Sequence, residues 1–158
     1  MMQDDLLDIA GRLAQLEDGK PRQASLRRAI STAYYALFHA LARLCADELV
    51  KYGNPWDVYS PIYRTMDHSR AKQVFRQISG RRGTHITVIG ETFILLQEYR
   101  HWADYDPSPF ALGRTKGVGR YETLDLIEQA RRAIIQIESL APEDRLFIAT
   151  QLIARTRT

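Results

Sequence analysis

Apolar residues recur along most of this chain at intervals of three and four positions, the spacing that places side chains on one face of an α-helix. The clearest run extends from about Arg22 to Lys51 and stops at Gly53, Asn54 and Pro55. Its apolar stripe consists of Leu26, Ile30, Ala33, Leu37, Leu41 and Leu44, and is broadened by Tyr34, Phe38 and Cys45. A helix that is apolar over so wide an arc is predicted to lie in the middle of a bundle.

Shorter amphipathic helices are predicted on either side of this central one. They are marked by apolar residues at helical spacing, in chain order: Leu6, Ile9, Leu13 and Leu16; Ala71, Val74, Phe75 and Ile78; Leu124, Ile127, Ala130 and Ile134; Leu146, Ala149 and Leu152. A short helical turn is also expected after Ser60-Pro61. Pro142 followed by two acidic residues is typical of a helix N-terminus, and the segment 142–158 is predicted to be an extra C-terminal helix and tail.

Residues 84–105 carry two conflicting signals. Many of them are β-branched, which locally favours a strand. Ile86, Ile89, Phe93 and Leu96 nevertheless keep helical spacing, and no turn pair divides the segment into a hairpin. Because a single strand in a helical chain would have no pairing partner, the segment is predicted to be a helix. The predicted fold class is therefore all-α, an up-and-down bundle of five to six helices that forms one domain over residues 1–158.

Composition excludes several classes of protein. The apolar fraction of 45% and the charged fraction of 26% are ordinary for a globular domain, and no apolar run is long enough to span a membrane. The single cysteine, Cys45, excludes an internal disulfide and a Cys-rich zinc site. Asp4, Asp5 and Asp8 stand where a signal peptide would need positive charge. We therefore expect a cytoplasmic protein without membrane contact.

The positive charge is weak overall but locally concentrated. The formal net charge is +3, and 18 of the 22 basic residues are Arg, the side chain suited to bidentate phosphate contacts. A genome of high GC content would also produce an Arg-rich protein. Two stretches are nearly free of acids: one contains Arg64, Arg70, Lys72, Arg76, Arg81 and Arg82, and the other Arg114, Lys116 and Arg120. Together they predict one basic surface for nucleic acid.

No motif for a cofactor is present. The sequence lacks a Gly-rich phosphate loop, a nucleophile elbow and a pair of histidines at metal spacing. Glu98 and His101 have the Glu-x-x-His spacing of di-iron bundles, but such a site needs a second copy and two further Glu residues. Neither a metal nor a cofactor is expected.

Three fragments, taken in order, resemble the HEPN family. The first, residues 31–40, reads STAYYALFHA; the second, residues 67–70, reads DHSR; the third, residues 99–107, reads YRHWADYDP. Bacterial and archaeal members of that family carry a Tyr-Tyr-Ala-x-Phe-His-Ala core helix, a His-Ser pair before the next helix and an Arg-x-x-Ala-Asp-Tyr-Asp ending. The resemblance covers about residues 20–138.

The resemblance implies a helical bundle that is usually a homodimer and is often encoded beside a small nucleotidyltransferase. Many members are metal-independent ribonucleases of toxin–antitoxin or defence systems. Their motif is an Arg, a gap of four to six residues and a His, and the two copies in the dimer form one cleft. In this sequence Tyr105, Asp106 and Pro107 occupy the positions where the His would follow Arg100.

The third fragment supplies the catalytic candidates Arg100, His101, Asp104 and Tyr105. Arg100 and Asp104 are one helical turn apart and can form an ion pair that holds the guanidinium still. A fixed Arg with a Tyr hydroxyl and a His nearby can bind a phosphate and support proton transfer during phosphodiester cleavage. In the alternative interpretation, the ion pair only staples the helix end and Tyr105 packs beneath it.

Further residues are candidates for RNA or nucleotide binding: Tyr35, His39, His68, Arg70, Arg81, Arg82 and Arg114. Two of them have alternative structural roles, because His39 lies on an apolar helix face and His68 stands where a helix could begin. Two functions remain open. The first is an RNA- or nucleotide-binding protein, with or without metal-independent ribonuclease activity. The second is a non-catalytic interaction module that binds a nucleotidyltransferase or another protein.

Overall fold

The structure is a computed structural model that describes residues 1–109, 112 and 116–155. These residues form helices and no strand: α1 (Met2–Ala14), α2 (Gln23–Leu49), α3 (Trp56–Thr65), α4 (His68–Ile78), α5 (Thr84–Tyr105), α6 (Arg120–Ser139) and α7 (Pro142–Ile153). The predicted all-α fold class is confirmed. The segment 84–105 forms one helix, as predicted, in spite of its β-branched composition.

The described helices number seven rather than the predicted five to six, because the segment after Pro55 forms a complete helix. A proline suits the first turn of a helix, which is why the sequence predicts only a short turn starting near Pro61. In the structure α3 begins at Trp56 and passes through Pro61. The rings of Trp56, Tyr59 and Tyr63 lie along one side of it, with neighbouring centroids 6.0 and 6.2 Å apart. These ring contacts stabilise the additional turn.

α2 lies in the middle of the bundle, as its wide apolar arc predicts. It packs against α1, α3, α5, α6 and α7, and fifteen of its residues are buried. Several of these are alanines, which let neighbouring helices approach closely. None of the helices in the described part of the chain is long and apolar enough to cross a membrane.

α4 and α5 approach each other closely at Gly90. A Cβ atom placed on this glycine would lie 2.9 Å from Cδ1 of Phe75, closer than two carbon atoms can approach without a shift. Gly90 therefore costs α5 some helix propensity, but it lets the buried Phe75 ring sit against the α5 backbone.

The C-terminal end of α5 is fixed to α2 by Arg27. The Arg27 guanidinium donates hydrogen bonds to the carbonyl oxygens of Trp102 (3.2 Å), Asp106 and Ser108 (3.0 Å), and its Cζ lies 4.1 Å from the centroid of the Trp102 ring. The last carbonyls of a helix have no partner within the helix. Arg27 adds a second donor to the Trp102 carbonyl, which also accepts the Asp106 N–H at 3.0 Å, and reaches two carbonyls beyond the helix, and thereby fixes the end of α5 that carries the catalytic candidates.

Candidate functional site

Arg100 and Asp104, which the sequence places one turn apart, form an ion pair where α5 meets α2. Nε of Arg100 lies 3.7 Å from Oδ2 of Asp104, and the Arg100 side chain is only 11% exposed. The Ser31 hydroxyl on α2 donates a hydrogen bond of 3.1 Å to the same carboxylate oxygen. Asp104 is exposed as a residue, but its side chain is only 19% exposed. The pair is therefore largely desolvated and anchored on both helices.

Two tyrosines of α2 enclose the Arg100 guanidinium. Its Nη2 donates a hydrogen bond of 3.3 Å to the Tyr35 hydroxyl, and its Cζ lies 5.1 Å from the Tyr34 ring centroid and 5.4 Å from that of Tyr35. These distances are typical of a cation held against aromatic rings. Nε of Arg100 is buried and has no hydrogen-bond partner in the described part of the chain. Tyr35, a predicted binding residue, is thus in direct contact with Arg100.

His68 lies behind this layer of tyrosines, at the start of α4. Its Nδ1 lies 2.6 Å from the Tyr34 hydroxyl, and its ring stacks on Phe38 with centroids 4.0 Å apart. Burial raises the pKa of Tyr34. Burial, and then the positive charge of Arg100, lower the pKa of His68. His68 is therefore neutral near pH 7 and belongs to the packed support of Arg100, at the first position of a helix.

His39 faces α3 instead of Arg100. Its Nδ1 lies 2.6 Å from the Tyr63 hydroxyl, and burial lowers its pKa. A half-buried histidine with a hydrogen-bonded partner fits the structural alternative that the sequence offers for this residue.

The two remaining catalytic candidates are exposed at the rim. The Tyr105 residue is 67% exposed and His101 is exposed as well, with their ring centroids 5.2 Å apart. The Tyr105 ring centroid lies 5.9 Å from Cζ of Arg100. Tyr105 does not pack beneath the ion pair, as the structural alternative for it would require, so its ring is accessible to a ligand.

An open cleft of about 470 Å³ lies between α2 and the end of α5, lined by Ala24, Arg27, Arg28, Ala103, Asp104 and Tyr105. Sequence reasoning missed Arg27 and Arg28. For Arg28 a signal was available, because Arg28, Ser31 and Tyr35 follow one another at helical spacing and share one face of α2. For Arg27 there was none, because its partners are backbone carbonyls.

Half of the cations in the first predicted basic stretch are paired with acids that the fold brings to them. Lys72 and Arg76 both face Glu98, at 3.3 and 3.9 Å, and Arg82 lies 3.5 Å from Asp144. Three of the six cations between Arg64 and Arg82 are thus paired with acids that come from other parts of the sequence. Arg82 also lies over the Phe147 ring, with its Cζ 4.4 Å from the centroid.

The other basic candidates lie apart from Arg100 or serve the fold. Arg81 is exposed in the turn before α5, and the sixteen residues from Thr84 to Arg100 place it about 24 Å away along the helix. The Arg120 side chain donates to the carbonyl oxygens of Ala14, Glu17 and Gly19 at the end of α1. Arg70 is half-buried beside His68 on α4. Arg114 lies outside the described residues.

Among the described residues, no group of three or more His, Cys, Asp or Glu side chains is placed to hold a metal ion. Glu98, the acid of the di-iron-like fragment, faces Lys72 and Arg76, whereas His101 faces Tyr105. This fragment therefore does not form a ligand set.

Comparisons of the chain with protein-family models, with curated proteins and with solved structures found no significant match. The resemblance to the HEPN family accordingly stays a prediction that rests on the three fragments. The fold brings residues of all three together: Tyr34 and Tyr35 contact Arg100, and His68 contacts Tyr34.

Proposed function

We propose that this chain binds single-stranded RNA or a nucleotide in the cleft between α2 and the C-terminal end of α5. The observation that carries the proposal is the arrangement at this end of the bundle: the Arg100–Asp104 pair is fixed from two helices, while the rings of His101 and Tyr105 are open to solvent beside it. Nucleotides combine an anionic phosphate with a flat base, and this rim combines cations with exposed rings.

The local charge supports the proposal. Arg27 and Arg28 line the cleft together with one carboxylate, that of Asp104, which is paired with Arg100. Arg27 has carbonyl oxygens as its partners, so its positive charge is not cancelled by an acid. Positive charge is therefore in excess at the cleft, opposed by the partial negative charge of the α5 C-terminus, about half a unit.

Ribonuclease activity is the more demanding form of the proposal. Metal-independent cleavage of RNA needs one group to accept the 2′-hydroxyl proton and another to protonate the leaving 5′-oxygen. His101 and Tyr105 are the exposed proton-carrying groups at the rim. His68 is less suited to this proton transfer, because its Nδ1 is engaged with the buried Tyr34 hydroxyl.

A titration of fluorescently labelled single-stranded RNA, followed by anisotropy, tests the binding. We expect affinity to fall steeply between 50 and 200 mM salt, because phosphate contacts release counterions. The same RNA incubated with EDTA tests cleavage, and we expect His101→Asn to abolish any cleavage while binding persists. A parent protein that binds neither RNA nor a mononucleotide at low salt ends the proposal.

We also propose that the chain acts as a homodimer, as the family resemblance implies. Exposed apolar side chains on α6, Tyr121 at 87% and Ile135 at 56%, are available for an interface. Light scattering at low micromolar concentration tests this, and a monomer there would exclude a cleft shared by two copies.

The second candidate function, an interaction module for a nucleotidyltransferase or another protein, is favoured by a different surface. Tyr52 is 82% exposed and Trp56 is 62% exposed, beside the exposed Val58, and aromatic residues are enriched in protein interfaces. If a nucleotidyltransferase encoded beside this gene is the partner, Trp56→Ser should weaken that complex in calorimetry and leave the RNA titration unchanged. A complex that forms while RNA binding is undetectable would favour this function over the first.

A further inference from the structure

Arg100 is almost fully enclosed, which leaves little of its guanidinium to contact a phosphate. Its Nη2 donates to the Tyr35 hydroxyl, its Nε faces Asp104, and the residue is 9% exposed. A bidentate phosphate contact needs two adjacent N–H groups on an accessible side of the guanidinium. In this structure the edge carrying Nε is covered, so the contacts of Arg100 serve to hold Asp104 and Tyr35 in place.

Arg28 has the exposure that Arg100 lacks. It lies on α2, three residues before Ser31, and lines the same cleft as Asp104 and Tyr105. Arg28 is exposed, and within the described part of the chain its guanidinium has no hydrogen bond or ion pair. Asp104, the carboxylate in that cleft, is already engaged by Arg100 and Ser31. The Arg28 charge is therefore free to attract an anion.

The ring beside this free cation is suited to a base. Tyr105 lines the cleft together with Arg28 and is 67% exposed. Stacking of a base on an aromatic side chain contributes to binding affinity but does not select a particular base, because every base has a π-face. An open cleft that offers both a cation and an exposed ring suits a nucleoside phosphate, whose phosphate can contact the cation while its base stacks on the ring.

We infer that Arg28 is the phosphate ligand of the cleft, that Tyr105 stacks the base joined to that phosphate, and that Arg100 is a positioning residue. This inference rests on the proposed function and names its ligand chemistry, a nucleoside phosphate that is either free or part of an RNA strand. Arg100 acts by fixing Asp104 and Tyr35, so that neither the carboxylate nor the ring layer moves into the cleft.

The test uses the chain of residues 1–158 and three probes: uridine 5′-monophosphate, uridine and a single-stranded uridine hexanucleotide. Arg28→Ala should weaken binding of the monophosphate and the hexanucleotide about 10- to 100-fold, the equivalent of one charge-assisted contact. Arg28→Lys should recover part of the loss, because lysine keeps the charge without the planar fork. Uridine, which has no phosphate, should be insensitive to Arg28→Ala.

The ring assignment is tested with Tyr105→Leu and Tyr105→Phe. The leucine variant should weaken the monophosphate about 5- to 100-fold and the phenylalanine variant much less, since stacking needs only the ring. Arg132→Ala is the matched control, because Arg132 is an exposed arginine of α6 that pairs with Glu128 of its own helix and does not line the cleft. This variant should bind the monophosphate within about twofold of the parent. Binding of the hexanucleotide without the monophosphate would identify an RNA strand as the source of the phosphate.

The outcomes separate this inference from the function on which it rests. A parent that binds none of the probes overturns both. A parent that binds, with Arg28→Ala equal to it and Arg100→Lys defective while still folded, keeps the proposed function and overturns the inference in favour of Arg100 as the ligand. Equal affinity for uridine and its monophosphate would also overturn it. Because Arg28 is exposed, its substitution should leave the melting temperature unchanged, so that a loss of binding reports on the ligand.

Discussion

The Ser31 hydroxyl and the Arg100 guanidinium share one oxygen of Asp104. Ser31 donates to Oδ2 at 3.1 Å, and Nε of Arg100 lies 3.7 Å from the same atom. Ser31 comes from α2, whereas Arg100 and Asp104 come from α5. Through this one oxygen, Asp104 contacts both a residue of its own helix and a residue of α2. The carboxylate is thereby held against the bundle instead of extending into the cleft.

Removing the carboxylate charge should destabilise the fold. Asp104→Asn leaves the Arg100 guanidinium, 11% exposed, without its counter-charge, and we expect a loss of about 1–3 kcal/mol in the free energy of unfolding. Ser31→Ala should cost about 1 kcal/mol. Urea unfolding measures both. The control is Asp8→Asn, which breaks an ion pair whose partners are 61% and 79% exposed and should cost less than about 0.5 kcal/mol. Equal losses for the Asp8 and Asp104 variants would contradict the structural role of this pair.

Arg27 and Arg28 are neighbours in sequence with opposite roles, and their alanine variants should separate these roles. Arg27→Ala removes hydrogen bonds to three carbonyl groups and the contact with the Trp102 ring. We expect it to lower the free energy of unfolding by about 2–3 kcal/mol and to change the tryptophan fluorescence. Arg28→Ala should change stability by less than about 0.5 kcal/mol. A reversed order of stabilities would show that the end of α5 is fixed in another way.

Much of the fold could be predicted because the apolar spacing survives in the structure. The stripe on α2 identifies the central helix, and Ile86, Ile89, Phe93 and Leu96, all buried, outweigh the local strand preference of α5. The error at α3 has a local cause, since Pro61 is compatible with a helix start as well as with an exposed helix interior. Trp56, Tyr59 and Tyr63 stand at helical spacing, so a signal for the additional turn was present in the sequence.

The candidate site was predictable only where its residues lie on one helix. The Arg100–Asp104 pair follows from one-turn spacing on α5. Ser31 contacts Asp104 from seventy-three positions away, and no local pattern encodes such a contact. For the basic stretch, the sequence predicted charges that are available to a ligand although the fold pairs some of them. Lys72 and Arg82 are unpaired in their own segment, but the fold brings Glu98 and Asp144 to them.

Acid should weaken the fold through His68 and His39. Burial lowers the pKa of both, and for His68 the charge of Arg100 lowers it further, against a smaller opposing contribution from Asp67. Between the lowered folded pKa and the unfolded value of about 6.5, the unfolded chain binds more protons, so stability falls as pH decreases below about 6.5. Urea unfolding at pH 7.5 and 5.0 measures this. The double variant His39→Gln, His68→Gln should lose much of the difference, and an unchanged pH dependence in that variant would assign it to other groups.

The close contact between α4 and α5 gives a prediction that opposes ordinary helix propensity. In most helices, replacing an interior glycine by alanine stabilises by about 1 kcal/mol. At Gly90 the new methyl group would lie 2.9 Å from Cδ1 and 3.2 Å from Cβ of the buried Phe75, so we expect Gly90→Ala to destabilise by about 1–3 kcal/mol.

Gly11→Ala in α1 is the matched control, because no heavy atom lies within 4 Å of the Cβ position there, and it should stabilise by about 0.5–1 kcal/mol. Adding Phe75→Ala to Gly90→Ala tests the cause, because this change removes Cδ1 and Cγ of Phe75, two of the three atoms that the new methyl group would meet. If the clash with the ring is responsible, the double variant should be more stable than the sum of the two single changes predicts, by about 0.5–3 kcal/mol in a double-mutant cycle. Strict additivity would show that the Phe75 side chain is not the cause of the loss, and a Gly90→Ala variant as stable as the parent would show that α4 moves away from α5 at little cost.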